Sequence, residues 1–254
     1  MQAPGTIARG RRRSSQIHQD PLSGRWTTAA HSRTLLRRGH QFELDGRWGD
    51  ALTHYEDGLR QFPKDASLKR RFDFSRLHYD VGRRYTDRSF LSAVAKMPDG
   101  RALELYGQVL LKVESHYVEV ANWKRLVERG TNNFEVALSE PVFLEHNLPE
   151  QKRAATSSFR RELRRLLGPR IINSRKDASK AVALAASLAQ SRLGIEPTAV
   201  ILEYLCGATN ALDPYSAYLT PDQLTEVYSQ IEGNFIGLGI ELKADDAGLV
   251  IVRV

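Results

Sequence analysis

The chain has 254 residues, 41% of them hydrophobic and 26% charged, with a formal net charge of +7. This composition is typical of a folded protein of one or two domains and argues against a disordered or fibrous chain. No stretch approaches the roughly 18 apolar residues of a transmembrane helix, and the single cysteine excludes an internal disulfide.

The positive charge is concentrated at the N-terminus. Residues 1–40 contain eight arginines and one acidic residue, Asp20. We expect residues 1–30 to form a basic, disordered tail. No apolar run follows Arg11, Arg12 and Arg13, so no signal peptide is visible. A second basic stretch covers residues 151–180, but it contains few aromatic residues and no nucleic-acid-binding motif, which disfavours nucleic acid as a partner.

Apolar periodicity predicts a helical domain over residues 31–212. It begins with a helical hairpin over residues 32–65. There the spacing of Gly39, Ala51, Tyr55 and Pro63 resembles one tetratricopeptide repeat. A single repeat cannot bury both of its faces, so we expect this hairpin to pack on neighbouring helices rather than to bind peptides.

Six further helices are predicted, over residues 67–85, 100–117, 121–138, 149–167, 177–193 and 197–212. Cys206 lies in the apolar last helix and is expected to be a buried small hydrophobe. His78 is interpreted as a helix-surface residue rather than a base. The seven histidines show no metal-ligand spacing, so neither a metal nor a cofactor is predicted.

A turn and a short helix follow the helical domain, over residues 213–232. The run contains Leu212, Asp213, Pro214, Ser216, Tyr218 and Leu219. Asp213-Pro214 favours a turn. Thr220 is a suitable N-cap for the helix, Pro221 suits its first position, and Gln223 completes a capping box.

The period then changes to that of strands. Residues 235–242 and 249–254 are rich in β-branched and other apolar residues, with turn-forming residues between them, which predicts a β-hairpin. Its first strand opens with Phe235, Gly237, Leu238, Gly239 and Ile240. A Gly-Φ-Gly-Φ loop of this kind resembles the PDZ loop that presents backbone N–H groups to a peptide carboxylate. The alternative is a bulged strand without a ligand.

Together these two segments resemble the junction between the helical region and the PDZ domain of carboxy-terminal processing (tail-specific) serine peptidases. That family commonly has an L-D-P-x-S-x-Y-L turn, a short helix and a G-x-F-x-G-[IVL]-G-I strand. Here the three elements stand in the same order, with Tyr215 where the family often has His. The resemblance implies proteolysis of proteins selected by their C-terminal tails, in a periplasmic or other extracytoplasmic space; a cytoplasmic location stays open.

The family's Ser nucleophile and Lys general base follow the PDZ domain. Ser174, Lys176, Ser179 and Lys180 have the right residue types, but they precede it in a basic helical segment and receive no catalytic role. We therefore expect residues 233–254 to be an incomplete PDZ domain and the 254-residue chain to be inactive as a peptidase.

The predicted fold class is mainly α, a helical bundle or array with one tetratricopeptide-like hairpin, followed by a C-terminal β-hairpin that begins a PDZ domain. The predicted function is the substrate-recognition and scaffold portion of a C-terminal processing serine endopeptidase. Its partners are expected to be the C-terminal tails of substrates and proteins that bind the helical region. The alternatives are a non-enzymatic helical protein-protein interaction module and, third, a basic nucleic-acid-associated protein.

Overall fold

The computed structural model describes residues 21–213, 216–232, 241–245 and 248–253. This part of the chain is mainly helical, as the sequence predicts. Its α-helices are α1 (Pro21–Leu44), α2 (Trp48–Gln61), α3 (Ala66–Thr86), α4 (Arg88–Lys96), α5 (Asp99–His116), α6 (Trp123–Ala137), α7 (Pro141–Asn147), α8 (Thr156–Leu167), α9 (Arg175–Leu193), α10 (Pro197–Thr209) and α11 (Pro221–Glu232). None of the helices in the described ranges is long and apolar enough to cross a membrane.

A short 3-10 helix, Glu150–Ala155, precedes α8, and two strands follow α11. Strands β1 (Glu241–Asp245) and β2 (Gly248–Arg253) pair antiparallel, with Lys243 opposite Val250. Helix α1 begins at Pro21 and therefore includes residues 21–30, which were predicted to belong to the basic tail. The rest of that tail lies outside the described residues.

The chain divides into two compact units, residues 1–75 and 76–254. In the first unit, α1 packs against α2 around a small core of Ala51, Tyr55 and Leu68. Gly39 permits this close packing, since a Cβ atom there would lie 2.3 Å from the Tyr55 ring.

A buried carboxylate joins the helical segments of the first unit. Glu43 on α1 is 6% exposed. It accepts hydrogen bonds from the Tyr55 hydroxyl at 2.9 Å and from the Arg71 Nε at 2.9 Å. The Ser75 hydroxyl donates to the same oxygen atom at 3.3 Å. These partners satisfy the charge, which is the condition for a buried carboxylate to be tolerated.

The core of the second unit is built around α10, whose residues from Pro197 to Ala208 are all buried. It packs most extensively against α6, and also against α9 and α5. The axes of α6 and α10 approach closely because Gly207 faces Gly130; a Cβ atom on Gly207 would lie 2.7 Å from the Gly130 Cα. An apolar helix of this kind is buried on all sides because it has no polar face to present to water.

Candidate functional site

The structure describes only part of the predicted sites. The residues of the predicted carboxylate-binding loop, Phe235, Gly237, Leu238, Gly239 and Ile240, lie outside the described residues. So does Pro214 of the segment 212–220, which we call the junction run. The remaining junction residues are described: Leu212, Asp213, Ser216, Tyr218 and Leu219.

Asp213 holds the turn of the junction run. Its carboxylate accepts hydrogen bonds from the backbone N–H of Ser216 at 2.7 Å and from the Ser216 hydroxyl at 2.9 Å. This is the local side-chain-to-backbone bonding by which Asp favours turns. Leu212, just before it, packs against the core of the second unit.

The capping box predicted at the start of α11 is confirmed. The Gln223 N–H donates to the Thr220 hydroxyl oxygen at 3.3 Å, and the Thr220 N–H donates to the Gln223 side-chain carbonyl at 3.2 Å. Two backbone donors at the helix N-terminus are thereby satisfied.

Thr220 also contacts a helix that the sequence did not predict. Its hydroxyl donates to the carboxylate of Asp87, the N-cap of α4. Next to this contact, the Asp222 N–H donates to the Ser89 hydroxyl oxygen at 3.2 Å. Partial burial raises the pKa of Asp87, but the hydrogen bonds from Thr220 and Ser89 outweigh that effect and hold it below its ordinary value.

Tyr218 fixes the middle of the junction run by packing against the core. Its ring lies 6.1 Å from the Phe90 ring, edge to face. Phe90 in turn lies 5.3 Å from Tyr85, which lies 4.9 Å from Phe143, all in edge-to-face geometry. Contacts of this kind add to the stabilisation from burial. Burial raises the pKa of the Tyr218 phenol to about 12.

A pocket of about 130 Å³ opens between the junction run, α3 and α10, and we call it the arginine pocket. One face of α3 lines it with four charged residues at helical spacing. The other lining residues come from α10, the junction run and α11. The full lining is Arg76, Asp80, Arg83, Arg84, Cys206, Asn210, Ala217, Tyr218, Leu219 and Gln223.

A buried ion pair lies beside the arginine pocket. Arg84 is 6% exposed, and its Nη2 donates to the Oε2 of the fully buried Glu203 at 2.7 Å. The side-chain amide of Asn133 donates to the same carboxylate oxygen at 2.6 Å and to the Glu203 carbonyl at 2.9 Å. The Arg84 Nε is buried and has no hydrogen-bond partner among the described residues.

Two further residues that line the pocket, Asp80 and Cys206, have raised pKa values. Burial raises the pKa of Asp80, although the charges of Arg84, Arg76 and Arg83 act in the opposite direction. Burial also raises the pKa of the Cys206 thiol to about 12. Cys206 is buried as predicted, and such a thiol is protonated at neutral pH and therefore a poor nucleophile.

The interpretation of His78 as a helix-surface residue is wrong. His78 is buried, and its Nδ1 contacts the carboxylate of the equally buried Glu140. The local sequence could not show this contact because Glu140 lies 62 residues away. Within the described ranges, no group of three or more His, Cys, Asp or Glu residues is placed to hold a metal ion.

Ser174 has a structural role at the start of α9. Its hydroxyl oxygen accepts a hydrogen bond from the Asp177 N–H at 3.1 Å, and the hydroxyl donates to the Asp177 carboxylate at 2.7 Å. These are the bonds of an N-cap residue.

Comparison of the chain with family models, curated proteins and solved structures finds no match. The arginine pocket and the junction run are therefore interpreted from their own geometry and chemistry.

Proposed function

We propose that the chain is the substrate-recognition and scaffold portion of a carboxy-terminal processing serine endopeptidase and does not itself contain the catalytic residues. The supporting observation is the attachment of the junction run to the helical core. Asp213 holds the turn, Tyr218 packs on Phe90, and Thr220 bonds to Asp87. A segment fixed at three successive points is suited to hold α11 and the residues after it in a constant position.

In this proposal the segment after α11 binds the substrate. Gly237, Leu238 and Gly239 would present backbone N–H groups to the C-terminal carboxylate of a substrate tail, and the tail would extend a sheet that contains β1 and β2. A Ser/Lys pair outside residues 1–254 would cut the substrate. The α1–α2 hairpin would act as a tetratricopeptide-like scaffold, with Tyr55 against Gly39 at the helix contact. The resemblance to tail-specific serine peptidases also implies that this activity would belong to an extracytoplasmic space.

The first test is the reading frame of the gene. Codons that continue beyond residue 254 through a PDZ domain and a Ser/Lys peptidase core would support the proposal. A stop codon directly after Val254 would contradict it.

The second test is a cleavage assay with the product of the complete reading frame. The substrate is an unstructured protein with an apolar C-terminus, either free or amidated. Amidation removes the charge-assisted hydrogen bonds to the carboxylate, so we expect it to lower kcat/KM by about tenfold or more. Gly239→Val should reproduce the defect on the free tail. Gly100→Val, where a side chain meets open space, is the matched control. Equal cleavage of both substrates would contradict carboxylate recognition.

A second candidate is a non-enzymatic protein interaction module, favoured by the exposed apolar face of α11. Leu224, Val227, Tyr228 and Ile231 lie at helical spacing on this face, and Ile231 is 75% exposed. A partner protein that covers this face would bind through an amphipathic helix. A gene product that binds a partner through α11 but cleaves neither substrate would favour this candidate.

Nucleic-acid binding is the third possibility. In the second basic stretch, Arg164 forms a two-point contact with the Glu135 carboxylate, and its Nε lies 2.6 Å from Oε1. Arg192, which follows that stretch, pairs with Glu162 at 2.8 Å. Each of these pairs offsets a positive charge that would otherwise attract the phosphates of a nucleic-acid backbone, and we do not include nucleic acid among the proposed partners.

A further inference from the structure

The arginine pocket combines a concentration of donors with a buried donor that has no partner. Arg76, Arg83 and Arg84 line one wall. Glu203 occupies only the Nη2 of Arg84, and the Nε of that guanidinium is buried without a hydrogen-bond partner among the described residues. A buried donor without a partner is costly, and an oxyanion that reached this side of the Arg84 guanidinium would supply the missing acceptor.

The charges around the pocket favour an anion. Three guanidinium groups face two carboxylates, those of Asp80 and Glu203. Asp80 compensates the three arginines only in part, because it is one carboxylate and its ion pair with Arg76 is long, 3.8 Å from Nε to Oδ2. Guanidinium groups bind phosphate and carboxylate oxygens with paired donors. The volume of about 130 Å³ suits a small oxyanion rather than a nucleoside or a peptide side chain with its backbone.

We propose that the arginine pocket binds inorganic phosphate, with Arg76, Arg83 and Arg84 donating to its oxygens and Asp80 accepting a hydrogen bond from its remaining proton. The proposal uses none of the carboxylate-loop residues and does not depend on the proposed peptidase function.

Asp80 is the residue that selects phosphate among the oxyanions. Sulfate and an ionised carboxylate carry no proton at neutral pH, so each would place an acceptor against the Asp80 carboxylate, which is an acceptor itself. A phosphate monoester loses its second proton at a pKa of about 6 and has the same defect above that pH. Inorganic phosphate keeps at least one proton throughout this range. Because burial raises the pKa of Asp80, its carboxylate accepts a stronger hydrogen bond from the proton of inorganic phosphate.

The test is isothermal titration calorimetry of the 254-residue protein at about pH 7.5, in a phosphate-free buffer of constant ionic strength. Inorganic phosphate, sulfate, acetate and O-phosphoserine are titrated separately. We expect saturable binding of inorganic phosphate at one site per chain. We expect each of the other three anions to bind about tenfold more weakly or less, because each leaves an unpaired acceptor beside Asp80.

Two variants and one control assign the binding to this pocket. Arg83→Gln removes an exposed cation and should weaken phosphate binding by about fivefold or more, the loss expected for one charge-assisted contact. Asp80→Asn supplies an amide donor, so it should remove the preference for phosphate over sulfate. Arg161→Gln makes the same charge change at an exposed position of α8 and should leave the affinity unchanged. Circular dichroism melting checks that each variant is folded.

The proposal is overturned by any of three results. The first is the absence of saturable phosphate binding to the folded wild-type protein. The second is equal affinity for phosphate and sulfate in the wild type. The third is a folded Arg83→Gln variant that binds phosphate as the wild type does. Tighter binding of O-phosphoserine than of inorganic phosphate would instead identify a phosphate monoester as the ligand and would contradict the role of Asp80.

Discussion

The hydroxyl of Thr220 donates a 2.5 Å hydrogen bond to the carboxylate of Asp87, which lies 133 residues earlier in the chain. Each residue also caps a helix: Asp87 accepts from the Ser89 N–H at the start of α4, and Thr220 accepts from the Gln223 N–H at the start of α11. One carboxylate therefore lies near the N-termini of two helices, where a negative charge is favoured. This contact attaches α11 to the helical core.

Loss of the Thr220 hydroxyl should loosen that attachment. We expect Thr220→Val to lower the free energy of unfolding by about 1–2 kcal/mol, since it removes an N-cap and a hydrogen bond to a charged group. Backbone amides of α11 should exchange faster with solvent. Thr225→Val is the matched control on the same helix, because the Thr225 hydroxyl donates to the Pro221 carbonyl of its own helix at an exposed position. Equal amide exchange in the two variants would show that the Asp87 contact contributes nothing.

The same contact should make the fold sensitive to acid. The pKa of Asp87 is lower in the folded chain than its ordinary value. The unfolded state therefore binds more protons as the pH falls, and the stabilisation from Asp87, complete above about pH 5, is lost as the pH falls below about 4. The urea midpoints of the wild type and Asp87→Asn should differ at about pH 6 and converge towards about pH 2. A constant difference across this range would exclude the ionisation of Asp87 as its source.

The local features of the fold could be predicted from the sequence. Long helices such as α5 and α9 have several turns of apolar periodicity, and the Thr220–Gln223 capping box lies within four residues. The short helices α4 and α7, of nine and seven residues, were not predicted. Two turns of helix contain too few apolar positions to establish a period, and their stability comes from tertiary packing instead.

The site depends on contacts that the sequence does not reveal. Proximity in the sequence suggests Asp80 and Asp87 as partners for Arg84, but its observed partner is Glu203, 119 residues away. Asp87 pairs with Thr220 instead. The spacing of Arg76, Asp80, Arg83 and Arg84 does place them on one helix face. Only the packing of α3 against α10 and the junction run converts that face into a pocket.

The close contact of α6 and α10 predicts that an alanine at Gly207 destabilises the protein. An alanine at Gly107, which lies outside this contact, should stabilise it. We expect Gly207→Ala to destabilise the protein by about 1–3 kcal/mol, because the added methyl group would lie 2.7 Å from the Gly130 Cα and the Arg129 carbonyl oxygen. Gly107→Ala on α5 meets open space and should stabilise by about 0.5–1 kcal/mol through helix propensity. Both are measured by urea unfolding. A neutral Gly207→Ala would mean that the two helices can separate at no cost.

The buried pair of Arg84 and Glu203 gives the last prediction, a double-mutant cycle measured by urea unfolding. Glu203→Leu leaves the Arg84 guanidinium and the Asn133 amide without their acceptor, so we expect a loss of about 3–5 kcal/mol. Arg84→Met leaves the Glu203 carboxylate buried without its cation, and a similar loss is expected. The double variant removes both charges and should be about as stable as either single variant or more so, because an apolar pair costs no desolvation of charge.

The exposed pair of Arg192 and Glu162, substituted in the same way, should show a coupling of no more than about 1 kcal/mol. Additive losses at Arg84 and Glu203 would mean that the two charges do not depend on each other, and the ion pair would then not be what holds α3 against α10.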